Sequence, residues 1–124
     1  MNNVLVTGVS RGVGIEICRT LLRQGFVIYG VARNHSDEFK KLEKEYKDKV
    51  FFKSIDLSDT DNCYRLVFKE FVTNDIKLFG FVNNAAIAYD DIITNMNTSK
   101  LRQMYAVNVF TPMILTKYAI RNML

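Results

Sequence analysis

Two cysteines and one histidine are the only thiol and imidazole groups in this chain. Cys18 and Cys63 lack CxxC spacing, have no histidine beside them, and fall at apolar positions of predicted helices. That argues against a metal site and a disulfide, and for buried free thiols in a reducing compartment. His35 falls in a predicted loop and reads as a surface residue rather than a catalytic one. No run approaches the roughly 18 consecutive apolar residues of a transmembrane span, so no such helix is expected. The N-terminus lacks a charged segment followed by a long apolar one, so no signal peptide is read and the cytoplasm is the expected location. A dominant charge is lacking too. The net charge is only +4, and acids interrupt the lysines of "EFKKLEKEYKDK", which reads as a solvated helix face rather than a nucleic-acid stripe. Neither nucleic acid nor membrane is expected as a partner. Internal repeats, low-complexity segments and linkers are absent.

What is present is an alternation. The 124 residues are 48% hydrophobic and 24% charged, enough for one domain with a core. Asn3 to Thr7 and Phe26 to Ala32 read as buried strands, Val50 to Leu57 and Leu78 to Val82 as a third and a fourth, and the strands read as apolar on both faces. Between them lie helical stripes. One carries Ile17, Cys18, Leu21 and Leu22 and ends at Gly25. The next is capped by Ser36 and carries Phe39, Leu42 and Tyr46. A third, capped by Ser58 or Asp59, carries Cys63, Leu66, Val67, Glu70 and Phe71 at a period near 3.6. After a polar stretch from Tyr89 to Asn97, a last helix runs from Thr98 or Ser99 toward Leu124. Apolar strands alternating with helices predict an α/β fold, a three-layer, Rossmann-type doubly wound parallel sheet. Right-handed crossovers favour the strand order 3-2-1-4, in one domain over residues 1–124.

The turn "VTGVSRGVG" follows the first strand directly. Gly8 allows a sharp exit from the strand, Gly12 lets the backbone approach a pyrophosphate, and Gly14 lets the helix pack on the strand. The free N–H groups of the first helical turn favour an anion there. The spacing Gly-x3-Gly-x-Gly differs from G-x-G-x-x-G, so a purely structural turn is the alternative; the strand and helix on either side favour a dinucleotide.

The end of the second strand indicates which dinucleotide. An acid there would bind the ribose hydroxyls of NAD. The sequence is "GVARNHS", with Arg33 at that place and no acid before Asp37. Arg11 adds a second cation inside the glycine turn. Two guanidinium groups suit a 2′-phosphate, which favours NADP(H) over NAD(H). The alternative is two surface arginines.

These residues, with three further segments, resemble the N-terminal, cofactor-binding half of the short-chain dehydrogenase/reductases. "TGVSRGVG" (Thr7 to Gly14) looks like that family's TGxxxGxG. "DL" (Asp56, Leu57) looks like its adenine-pocket pair. "NNAA" (Asn83 to Ala86) looks like NNAG, with Ala86 in place of glycine. "VNV" (Val107 to Val109) looks like the segment that carries its catalytic asparagine, here Asn108. The resemblance covers essentially the whole chain. It implies a cofactor site built from Gly8, Ser10, Arg11, Gly12, Val13 and Gly14 of the turn, Arg33 and Asn34 after the second strand, Asp56 and Leu57 after the third, and Asn83, Ala85 and Ala86 after the fourth. Asp56 would bond the adenine amino group, and Asn83 would support the central strand and the cofactor edge.

Asn108 has a physical argument of its own. Pro112, one turn on, has no N–H, so the helical bond to the Asn108 carbonyl cannot form. The freed carbonyl is available to hold a water, and the resemblance implies a water in a proton relay behind a catalytic lysine. The alternative is a helix kink without chemistry.

The resemblance also implies a serine and a Tyr-x-x-x-Lys pair, with the tyrosine as general acid. Four residues after Tyr29, Tyr46, Tyr64, Tyr89, Tyr105 and Tyr118 come Arg33, Val50, Phe68, Ile93, Val109 and Asn122, none of them lysine. The expectation is a chain truncated before its catalytic serine, tyrosine and lysine, and inactive by itself. Its fourth strand would be an unpaired edge. The intact protein would transfer hydride between nicotinamide and a small-molecule carbonyl or an acyl-carrier substrate, most like a 3-oxoacyl-[acyl-carrier-protein] reductase, as a homodimer or homotetramer. The alternative is a non-catalytic nucleotide-binding module, such as a redox sensor or assembly subunit. The reading frame beyond Leu124 discriminates the two.

Overall fold

Every residue of the first strand, β1 (Asn3–Thr7), is buried, with Val4 and Val6 facing one side and Leu5 the other. A strand with two apolar faces needs helices on both sides, and that requirement organises the fold. A computed structural model describes residues 2–124. β1 lies between β2 (Val27–Ala32) and β4 (Leu78–Val82), and β3 (Val50–Ser54) pairs with β2. All pairings are parallel and the order is β3-β2-β1-β4. The doubly wound α/β expectation holds.

One layer is α1 (Gly12–Arg23) and α2 (Asp37–Glu45). They bury Ile15, Cys18, Leu22, Phe39 and Leu42 against Val4, Val6 and Ile28. α1 ends as its sequence predicts: the Phe26 N–H bonds the Leu21 carbonyl and the Gly25 N–H that of Leu22. Ser36 caps α2 by accepting from the Phe39 N–H at 3.2 Å. The opposite layer is α3 (Thr60–Tyr64), the turn that follows it, and α5 (Thr111–Met123), where Cys63, Val67, Leu115 and Ala119 cover Leu5 and Val31. Both cysteines are buried and free.

Three elements differ from the sequence expectation. β3 ends at Ser54 rather than Leu57, because β2 ends at Ala32 and offers no further partner; the Ile55 N–H takes the Ala32 carbonyl at 3.0 Å as the last such bond. The third helix is not one regular stripe. α3 gives way to a π turn over Arg65–Lys69, so Val67, Phe68 and Val72 are buried, and Glu70 is exposed and pairs with Lys53 and Arg65. Asp59, not Ser58, occupies its N-cap position, without a side-chain cap bond. The last helix is α4 (Thr98–Tyr105), a π turn over Ala106–Phe110, and α5, with Pro112 in the first turn of α5. A short 3-10 turn, Ile93–Asn95, interrupts the polar stretch before it. Among the described residues no helix is long and apolar enough to cross a membrane, and no three His, Cys, Asp or Glu side chains gather to hold a metal ion.

Candidate functional site

Parallel strands all end on the same edge, and the connections leaving that edge enclose a cleft of about 860 Å³. Gly8, Ser10, Arg11, Gly12, Val13 and Gly14 form one wall. Arg33 and Asn34 line it after β2, Asp56 and Leu57 after β3, and Ala85, Ala86 and Ile87 after β4. Twelve of the residues that the sequence assigns to cofactor binding therefore meet in one place.

The glycine turn is built by close approach. A side-chain carbon on Gly8 would lie 2.8 Å from the Ala85 Cα, and one on Gly14 would lie 2.0 Å from the Gly8 carbonyl oxygen. Only hydrogens fit between these backbones. The result is a tight stack of β1's exit, α1's first turn and the segment after β4. Arg11 occupies the N-cap of α1 in extended conformation, its side chain caps nothing, and no acid stands in the first turn. That helix end has no anionic group of its own.

Thr7 and Asn84 lock the turn. The buried Thr7 Oγ1 accepts from the backbone N–H groups of Asn84 and Ala85, both at 3.0 Å. Asn84 Nδ2 donates to the Gly8 carbonyl at 3.0 Å. Asn83 stands outside the cleft lining and meets only the Thr7 hydroxyl, at 3.5 Å. The asparagine that reaches the glycine turn is thus Asn84, which sequence reasoning passed over in favour of its neighbour. The "NNAA" string places two asparagines together; only the exit direction of β4 tells which one faces the turn.

Asp56 is exposed and accepts from the Ser58 hydroxyl at 2.7 Å and the Ser58 N–H at 3.0 Å, both at Oδ1. The hydroxyl, then the N–H, hold its carboxyl below the ordinary value. Slight desolvation opposes this, and the Arg33 charge lowers it further. Asp56 is therefore an anion at neutral pH, with Oδ2 uncommitted. Thr111 was not anticipated either: buried at the start of α5, it donates to the Leu57 carbonyl at 2.6 Å and fixes that helix beside the cleft.

Asn108 does not line the cleft, but its side chain grips a residue that does. The Ile87 N–H donates to Asn108 Oδ1 at 2.9 Å, and Asn108 Nδ2 donates to the Ile87 carbonyl at 2.7 Å. The backbone around Asn108 is the π turn, closed by the Thr111 N–H on the Ala106 carbonyl. His35 is exposed in its loop, as expected.

Comparison with known proteins shows the family and the fold. A family profile described as short chain dehydrogenase matches residues 2–124. The NADPH-dependent 3-dehydrocapnine reductase of Ornithobacterium rhinotracheale is 33% identical over 120 residues, 94% of this chain and 41% of that protein. The 3-oxoacyl-[acyl-carrier-protein] reductase FabG of Buchnera aphidicola is 28% identical over 97% of this chain and 48% of its own. A crystal structure of a short chain dehydrogenase/reductase from Saccharomyces cerevisiae superposes with a TM-score of 0.83 at 28% identity, covering 99% of this chain and 49% of that one. The chain spans about half the length of the relatives it matches.

Proposed function

This chain belongs to the short chain dehydrogenase family, and from that premise we propose that it is the NADP(H)-binding part of a carbonyl reductase. The observation that carries the reading is one of charge and place. Arg11 and Arg33 line the same cleft as the glycine turn, and no acid stands at the end of β2. The residues fit a dinucleotide. The cleft has the size of a small-molecule site, roughly 300–1,000 Å³, and the glycine cradle leaves helix N–H groups for a pyrophosphate. Arg11 and Arg33 would hold the 2′-phosphate, with Asn34 beside them, and the free oxygen of Asp56 would accept from the adenine amino group. When bound, the cofactor supplies a hydride to a carbonyl or takes one from an alcohol. Asn108 would keep the loop after β4 against α5 and hold a water on its backbone carbonyl.

The substrate we propose is a small carbonyl compound, with a 3-oxoacyl group on an acyl carrier as the first candidate, since a relative of that name matches 97% of the chain. The working protein is proposed to be a cytoplasmic homodimer or homotetramer. Exposed Phe110, Met113 and Ile120 on and before α5 support an association surface. The test is cofactor affinity. NADPH binds more tightly than NADH, and Arg33→Asp reverses or abolishes that preference. Equal affinities in the unaltered protein refute the NADP(H) assignment.

A further inference from the structure

The connection from β2 to α2 is four residues, Arg33 to Ser36, and three of them line the cleft: Arg33, Asn34 and Ser36. His35 is the exception. Its ring stacks on Phe52 of β3, with centroids 4.2 Å apart and planes 11° from parallel. Its Nε2 is hydrogen-bonded to the Glu43 carboxylate on α2. Phe52 in turn packs on Phe39, a core residue of α2, at 5.4 Å. The backbone on either side is tied as well: the Ser54 hydroxyl donates to the Arg33 carbonyl at 2.7 Å, and Ser36 Oγ accepts from the Phe39 N–H. Of the four residues only Asn34 has no hydrogen bond or stack of its own among these contacts.

We infer that His35 is a positioning residue for cofactor discrimination: its stack on Phe52 and its bond to Glu43 hold the Arg33–Ser36 loop in the shape that receives a 2′-phosphate. The inference rests on the NADP(H) reading above. A guanidinium on a loose loop must be ordered when it grips a phosphate, and that ordering weakens binding. A loop already fixed to β3 and α2 avoids the loss. NADH has no 2′-phosphate, so it does not draw on the ordered loop.

The test measures NADPH and NADH dissociation constants for the unaltered protein, His35→Ala, Glu43→Ala, Arg33→Ala and the Arg33→Ala/His35→Ala pair. It also measures amide hydrogen exchange over residues 33–36 without cofactor. His35→Ala weakens NADPH roughly three- to ten-fold, leaves NADH within about two-fold, and speeds exchange in the loop. Glu43→Ala, which keeps the His35–Phe52 stack, shifts both readouts in the same direction by less. On the Arg33→Ala background, loss of His35 costs NADPH nothing further. The inference is overturned if His35→Ala weakens both cofactors equally, leaves their ratio unchanged, or adds fully to Arg33→Ala. Those outcomes differ from failure of the parent reading, in which the unaltered protein shows no NADPH preference for Arg33 to lose.

Discussion

Replacing Thr7 by valine tests how the glycine turn is held. The side chain is fully buried and valine has nearly its shape, so the exchange removes a hydroxyl without opening a cavity. That hydroxyl oxygen is the acceptor for two backbone donors, Asn84 N–H and Ala85 N–H, each at 3.0 Å. A buried donor left without a partner costs about 1–3 kcal/mol. Both donors belong to half-buried residues at the rim of the cleft, where water can partly replace the lost acceptor, so the lower part of that range applies to each. The sum is about 2–3 kcal/mol, a large share of the roughly 5–15 kcal/mol that holds a domain folded.

Urea unfolding followed by circular dichroism reads this directly. With a slope of about 2 kcal/mol/M, the midpoint of Thr7→Val falls by about 1–1.5 M at unchanged slope. Thr7→Ser keeps the acceptor and loses one methyl, so it falls by about 1 kcal/mol or less. The reasoning is refuted if Thr7→Val stays within about 0.5 kcal/mol of the unaltered protein, or if Thr7→Ser falls as far as Thr7→Val.

Gly14→Ala would put a methyl 2.0 Å from the Gly8 carbonyl oxygen, a backbone atom that cannot give way without moving α1 off β1. The expected loss is roughly 3 kcal/mol or more, with NADPH binding abolished; a folded variant that binds normally would contradict the close-packed turn. Burial pushes the Cys18 thiol up to about 12 and raises Cys63 as well, so a thiol reagent at pH 8 labels neither in the native protein and both in denaturant. The folded state holds the Cys18 proton more tightly than the unfolded chain. Its contribution to stability is therefore complete below the thiol's ordinary 9.0 and declines as pH rises toward about 12, measurable as a falling urea midpoint.

Much of the frame is legible in the chain. β1 and β2 announce themselves because central parallel strands are apolar on both faces, whereas β3 and β4, at the edges of the sheet, are only partly buried; the crossover rule leaves few topologies, of which the doubly wound β3-β2-β1-β4 is the natural one. The Ser36 cap and the Gly25 stop of α1 are local chemistry, and local chemistry is readable. The π turn at Arg65–Lys69 is not, because it is set by packing. Phe68 and Val72 are buried in the same cluster as Leu115 and Ala119 of α5, with the Tyr118 ring tilted 33° against Tyr64 at 3.8 Å between centroids. The end of β3 likewise depends on where β2 stops, a fact about the partner strand. The choice between Asn83 and Asn84 depends on the approach of Gly8 to Ala85, between residues 77 positions apart in sequence.

The cleft is the part of the molecule where the sheet's own bonding runs out, and this explains both its architecture and its chemistry. Strand ends leave backbone groups without ladder partners, and such groups must be satisfied by something. Here side chains from distant elements supply the bonds: Thr7 to Asn84 and Ala85, Asn84 to Gly8, Ser54 to Arg33, Thr111 to Leu57, and Asn108 to Ile87. No buried side-chain nitrogen or oxygen among the described residues is left without a partner. The N-terminus of α1 stands apart from this pattern. Arg11 offers it no cap and its first turn holds no acid, although serine or aspartate at either place would have stabilised the helix. A fold that satisfies its strand ends with its own side chains gives this helix end neither a cap nor an acid, and so leaves its N–H groups to the pyrophosphate proposed for the cleft.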